Sequence, residues 1–175
     1  EFMTDYTGMG ESRIVLCGLQ EYVEGQILDP WRLFGDHYLM DLFSSMQKPG
    51  AIQKSDALHK ATKSIETFVK RIRKMITLTR YIPDLAGIGN LILTPQGGLK
   101  LVDINNIVEI NYNEPILLDD KGYPSCDVSI EVLSILERDI LQKKIHMDDP
   151  LYGFFLSPKR RERVTAIEKK FYAAL

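Results

Sequence analysis

Asp84, Asn90 and Asp103 stand at the two ends of a loop and a strand-turn-strand unit, and no other set in the chain gathers such chemistry so closely. Phosphoryl transfer needs a carboxylate near the attacking hydroxyl and hard oxygen ligands that hold magnesium between phosphates. Two aspartates and an asparagine at strand ends supply those groups, because the strands fix the backbone while the side chains project past it. Each also has a plainer role, since Asp and Asn commonly bond their own turn backbone.

The elements that must position these residues are legible from periodicity. Asn90 to Thr94 and Leu99 to Asp103 flank Pro95-Gln96-Gly97-Gly98, the composition of a hairpin turn. Ahead of the loop, Leu58, Ala61, Ile65, Phe68, Ile72 and Ile76 recur at three and four, predicting a long helix from a Ser55 or Asp56 cap to Pro83. Lys60, Lys63, Lys70, Arg71, Arg73 and Lys74 crowd its other side, a solvated face or an attraction for phosphate. Asp29-Pro30 predicts an earlier helix in which Trp31, Phe34, Tyr38, Leu42 and Met46 pack, ending at Lys48-Pro49-Gly50.

Arg13 to Tyr22 reads as a strand entering a bend at Gly25. Asn111 to Tyr123 reads as a surface connection. Ser125 or Asp127 then caps a helix to about Lys143, and a last helix starts near Pro158, with the basic run Lys159-Arg160-Arg161-Glu162-Arg163 solvated at its start. Glu1-Phe2 ahead of Met3 reads as a cloning scar, 3–12 as a flexible amino terminus carrying the GxG fragment Gly8-Met9-Gly10, and 13–175 as one domain.

The 22 basic and 24 acidic side chains leave a net charge of -2, which calls for neither a nucleic acid nor a membrane partner. Cys17 and Cys126 form no CxxC, and neither has a partner that would make it a nucleophile; a reducing cytoplasm is the expected setting. His37, His59 and His146 share no spacing and are expected to be structural or surface residues.

The string PDLAGIGNLILTPQGGLKLVDIN, residues 83–105, resembles the catalytic loop and metal-binding hairpin of the protein kinase and aminoglycoside-phosphotransferase superfamily. That resemblance implies an α+β, mainly α-helical fold, the large C-terminal lobe of a kinase, with the small lobe absent or vestigial. It implies Asp84 as catalytic base, Asn90 and Asp103 as magnesium ligands, and ATP with Mg2+ as cofactors. Leu19 to Gly25 would be the hinge, with Glu21 and Val23 beside adenine and Ile92 beneath it. Ser125-Cys126-Asp127-Val128-Ser129 resembles the start of the central helix, where an Asp braces the catalytic loop. Asp84 and Asn90 stand six apart, one more than in the family, and Asp103-Ile104-Asn105 replaces Asp-Phe-Gly. No lysine of a small lobe can be placed upstream. A second expectation is therefore a non-catalytic, kinase-like module whose open face is covered by a protein partner or a homodimer mate.

Overall fold

The computed structural model describes residues 2–8, 10–17, 21–32, 37–46, 54–103 and 106–174. It is α+β and mainly α-helical, as expected. The elements are β1 (Phe2–Gly8), β2 (Glu11–Cys17), β3 (Gln26–Ile27), α1 (Tyr38–Met46), α2 (Lys54–Thr79), β4 (Tyr81–Pro83), β5 (Leu91–Leu93), β6 (Leu99–Leu101), β7 (Ile107–Glu109), α3 (Ser125–Ile135), α4 (Pro150–Phe155) and α5 (Pro158–Ala173). The strands form three small antiparallel sheets: β1-β2, β3-β5-β6 and β4-β7.

The first correction concerns the amino terminus. Within the segment expected to be a tail, β1 pairs with β2 from Phe2 opposite Cys17 to Gly8 opposite Glu11. Thr4, Tyr6 and Thr7 favour a strand, as do Ile14 and Val15 across from them. Of the GxG fragment, Gly8 ends β1 and Gly10 takes a left-handed backbone (φ 80°) before β2, while Met9 lies outside the described residues. The strand predicted over Arg13 to Tyr22 thus begins earlier and ends at Cys17, whereas Glu21 and Tyr22 are irregular. Leu19 and Gln20 lie outside the described residues.

The α2 helix carries most of the expected core stripe, with Ala61, Ile65, Ile72 and Ile76 buried, but Ala57 and Val69 take the inward positions while Leu58 and Phe68 are half-buried. It stops before Pro83. Arg80 adopts a left-handed backbone (φ 60°) just past Thr79, and Pro83 belongs to β4 instead. The two Asp-Pro pairs behave differently. Asp149 caps α4 by accepting a hydrogen bond from the Leu151 amide (2.9 Å), a helix the sequence reading missed. Asp29 likewise accepts from Trp31 N (3.0 Å) ahead of a 3-10 turn, Pro30–Arg32, with Trp31 38% exposed rather than in the core, and the later part of the expected helix is α1, Tyr38–Met46. Phe34 and Lys48-Pro49-Gly50 lie outside the described residues.

At the centre, α3 is buried on nearly every side and continues into a π turn, Leu136–Ile140, ending short of Lys143. Its cap is Pro124, so neither Ser125 nor Asp127 caps it. Ile130, Leu133 and Leu136 of this helix meet Ile65, Val69 and Ile72 of α2 and Leu151, Tyr152 and Phe155 of α4 in one core, which also takes in Ile82, Leu85 and Leu91. That core anchors both ends of the 84–90 loop. Among the described residues no helix is long and apolar enough to cross a membrane.

Candidate functional site

Three-residue strands on both sides clamp the loop. Tyr81, Ile82 and Pro83 pair with Glu109, Val108 and Ile107, and Leu91, Ile92 and Leu93 pair with Leu101, Lys100 and Leu99. Backbone bonds close the ends: Asp84 N donates to Asn106 O and Val102 N to Asn90 O, each at 2.9 Å. From below, Leu85 is buried and its amide donates to Ser129 Oγ of α3 at 3.0 Å. The amides of Asp84 and Leu85 are thereby satisfied, and the loop's shape is set before any ligand arrives.

Inside the loop, Asn90 is buried. Its Nδ2 donates to the Asp84 carbonyl at 2.9 Å, and its backbone amide donates to Gly87 O at 3.1 Å. The fit leaves no room at Gly87, where a Cβ would lie 2.5 Å from Asn90 Nδ2. Asp84 in turn accepts from the Ala86 amide through Oδ1 at 2.9 Å. Both residues therefore perform the turn-forming role that their types allow.

Asp84 and Asp103 line one cleft of about 660 Å³, so the structure brings together the two predicted carboxylates. Asn90 stands behind the loop rather than in that lining. Glu21 is exposed and Val23 half-buried in the irregular stretch before β3. Ile92 is half-buried on the face of β5 away from the core, because Leu91 and Leu93 take the inward positions. None of these three lines the cleft. Ile104 and Asn105 lie outside the described residues.

Sequence reasoning missed the rest of the wall. The 111–123 connection curls around Asp119, which accepts from the Lys121 and Tyr123 amides and from Ser125 Oγ, each at 2.9 Å. This brings Asp120, Lys121 and Tyr123 to the cleft, and α5 adds Phe171 and Tyr172. Burial, with the 2.7 Å bond from Tyr123 OH to Glu168, pushes the Tyr123 hydroxyl far above its ordinary range, so it remains protonated. Among the described residues no three His, Cys, Asp or Glu side chains converge to hold a metal alone. A cation on Asp84 and Asp103 would take its other ligands from phosphate oxygens and water, which suits magnesium.

The bracing roles also differ from expectation. Ser129 holds the loop, while Asp127 is buried in an ion pair with Arg160, whose Nε and Nη2 reach its two carboxylate oxygens at 2.5 and 3.1 Å. Arg160 Nη1 donates to Asn113 O (3.0 Å), and the guanidinium lies over Phe154 and Phe155. The basic run is thus not simply solvated, and Arg161 and Arg163 pair with Glu131 and Glu114. A lone Asp among Cys126, Val128 and Ile130 was the available signal, since a buried carboxylate requires a partner. Cys126 is buried, and burial with nearby Asp127 pushes its thiol up to about 12, which leaves it unreactive at neutral pH. His37, His59 and His146 are exposed.

No protein-family model, curated protein or solved structure matches the chain.

Proposed function

We propose that this chain is the helical lobe of a kinase-like phosphotransferase, taking magnesium-ATP where the 84–90 loop meets the end of β6. The observation that carries the reading is the shared cleft of Asp84 and Asp103. Asp84 is the base that accepts the proton of the attacking hydroxyl. Asp103 holds magnesium, and Asn90, buried behind the loop with its Nδ2 on the Asp84 carbonyl, keeps the loop that presents Asp84 in shape. Support also comes from the β4-β7 pairing, which ties the strand before the loop to the strand after Asp103. Among the described residues Lys121 is the one basic side chain lining the cleft, and a single exposed cation orients the phosphates poorly, so binding is weak and turnover slow.

Titration of magnesium-ATP into the whole chain should give a measurable heat at millimolar nucleotide. Asp103→Ala, at an exposed position, should weaken that binding about tenfold or more, the worth of one contact to a charged group. Silence of the wild-type chain at millimolar magnesium-ATP would sink the reading.

A second reading, a non-catalytic module that binds a protein partner or a second copy, is favoured by one fact. Asp84 Oδ1 and the Asn90 amide already serve the loop, a role that needs no substrate. Ile88, 80% exposed at the loop tip, would then lie under the partner.

A further inference from the structure

The basic side of α2 is not evenly solvated. Lys60, Lys63 and Arg71 converge with Lys100 of β6 around a groove of about 480 Å³ between α2 and the β5-β6 turn. Two contacts build it. Gly97 (φ 87°) lies flat on the helix, where a Cβ would be 2.7 Å from Ala57 O and 2.9 Å from Ala61 N. The Leu99 amide donates to Ser64 Oγ at 2.8 Å. Phe68 and Leu99 give the groove an apolar floor, and Thr67 and Gln96 complete its polar rim.

Among the described residues no acidic side chain lines this groove, and none of the four cations forms an ion pair. Other surface cations are matched in part, Lys70 with Glu66, Arg73 with Asp149, Arg161 with Glu131 and Arg163 with Glu114, and the groove lined by Lys70, Arg73, Lys143 and Lys144 also holds Glu137 and Asp149, whereas the α2–β6 groove holds four cations and no carboxylate. Lys60 and Lys63 are neighbours on one helical face, and like charges at that spacing repel. In a chain of net charge -2, such a concentration of unmatched cations marks a site of complementary charge.

We propose that this groove binds a short acidic peptide segment of a partner protein, with the carboxylates on the four cations and an apolar side chain on Phe68 and Leu99. The acidic excess of the remaining surface, in a chain of net charge -2, repels a long polyanion more than a short segment. The inference is independent of nucleotide binding at the cleft.

The test is fluorescence anisotropy of a labelled Glu/Asp-rich peptide with one central leucine, titrated with the whole chain. Binding should weaken with added salt and fall about tenfold in Lys60→Glu/Lys63→Glu. Lys100→Glu on the opposite wall should weaken it several-fold. Lys169→Glu/Lys170→Glu, which reverses two exposed charges on α5, should leave it unchanged. All five positions are exposed, so unfolding midpoints should stay at the wild-type value, and Lys100→Glu carries the test if the double variant does not fold. Absence of binding, equal losses in the α2 and α5 variants, or tighter binding of a single-stranded RNA of equal charge that displaces the peptide would each overturn the proposal.

Discussion

Replacing Arg160 with alanine should lower the free energy of unfolding by about 3–5 kcal/mol, because it leaves the Asp127 carboxylate charged and buried without its partner. Both side chains are almost wholly excluded from water, so solvent cannot compensate. The same substitution removes the bond to Asn113 O and the stacking on Phe154 and Phe155, loosening the connection that carries Asp119 and Tyr123. Urea unfolding followed by circular dichroism measures the loss. The pair is a stability element only in the sense that it cannot be half removed. A variant replacing both partners with leucine should recover much of the deficit, as buried ion pairs exchanged for apolar pairs often do. A single variant within 1 kcal/mol of wild type would show that water reaches Asp127 after all.

Gly97→Val should cost about 2–4 kcal/mol through two independent causes. A β-branched residue is a strong outlier at φ 87°, and the new Cβ would press on helix backbone rather than on a side chain able to swing away. The β5-β6 turn would have to lift from α2, breaking the Leu99 to Ser64 bond. Urea midpoints read the stability, and acidic-peptide affinity should fall as Lys100 moves away from Lys60 and Lys63. Gly97→Ala should show a smaller loss of the same kind.

What could be read in the sequence was what local rules determine. The apolar spacing of α2 and the Pro-Gln-Gly-Gly turn each arise from residues within one or two turns of one another, and both are where they were expected. The strands β4 and β7 were not legible, because three residues make no periodic signal and each exists only through a distant partner, as Tyr81 opposite Glu109 shows, 28 positions away with two intervening elements between them. Asp149-Pro150 and Asp29-Pro30 carry the same start signal and both aspartates make the capping bond, yet the first opens α4 at once while the second opens a 3-10 turn, Pro30–Arg32, ahead of α1.

The candidate site divides along the same line. That Asp84 and Asp103 meet was legible from their places at strand ends. That Asn90 faces into the loop, that Ser129 holds Leu85, and that Asp127 belongs to Arg160 were not, since these pairings join residues 33 to 44 apart or depend on the loop's path. The amino-terminal hairpin was missed for a different reason. Thr4, Tyr6 and Thr7 carry strand propensity, but a polar alternation with no core beneath it looks like a tail.

The exposed run from Gln142 to Lys144 is held lightly, by Lys143 to Glu66 and to Glu137 O, while the main attachment of α4 and α5 is made elsewhere. Arg73 to Asp149, Asp127 to Arg160, Glu168 to Tyr123 and the burial of Leu151, Tyr152 and Phe155 all cross between the two sides of that run. A chain nicked by trypsin between Lys143 and Lys144 should therefore stay one particle in gel filtration and part into two pieces only in denaturant. The two pieces are complementary halves of a single core, and the peptide bond between them is the weakest claim either has on the other.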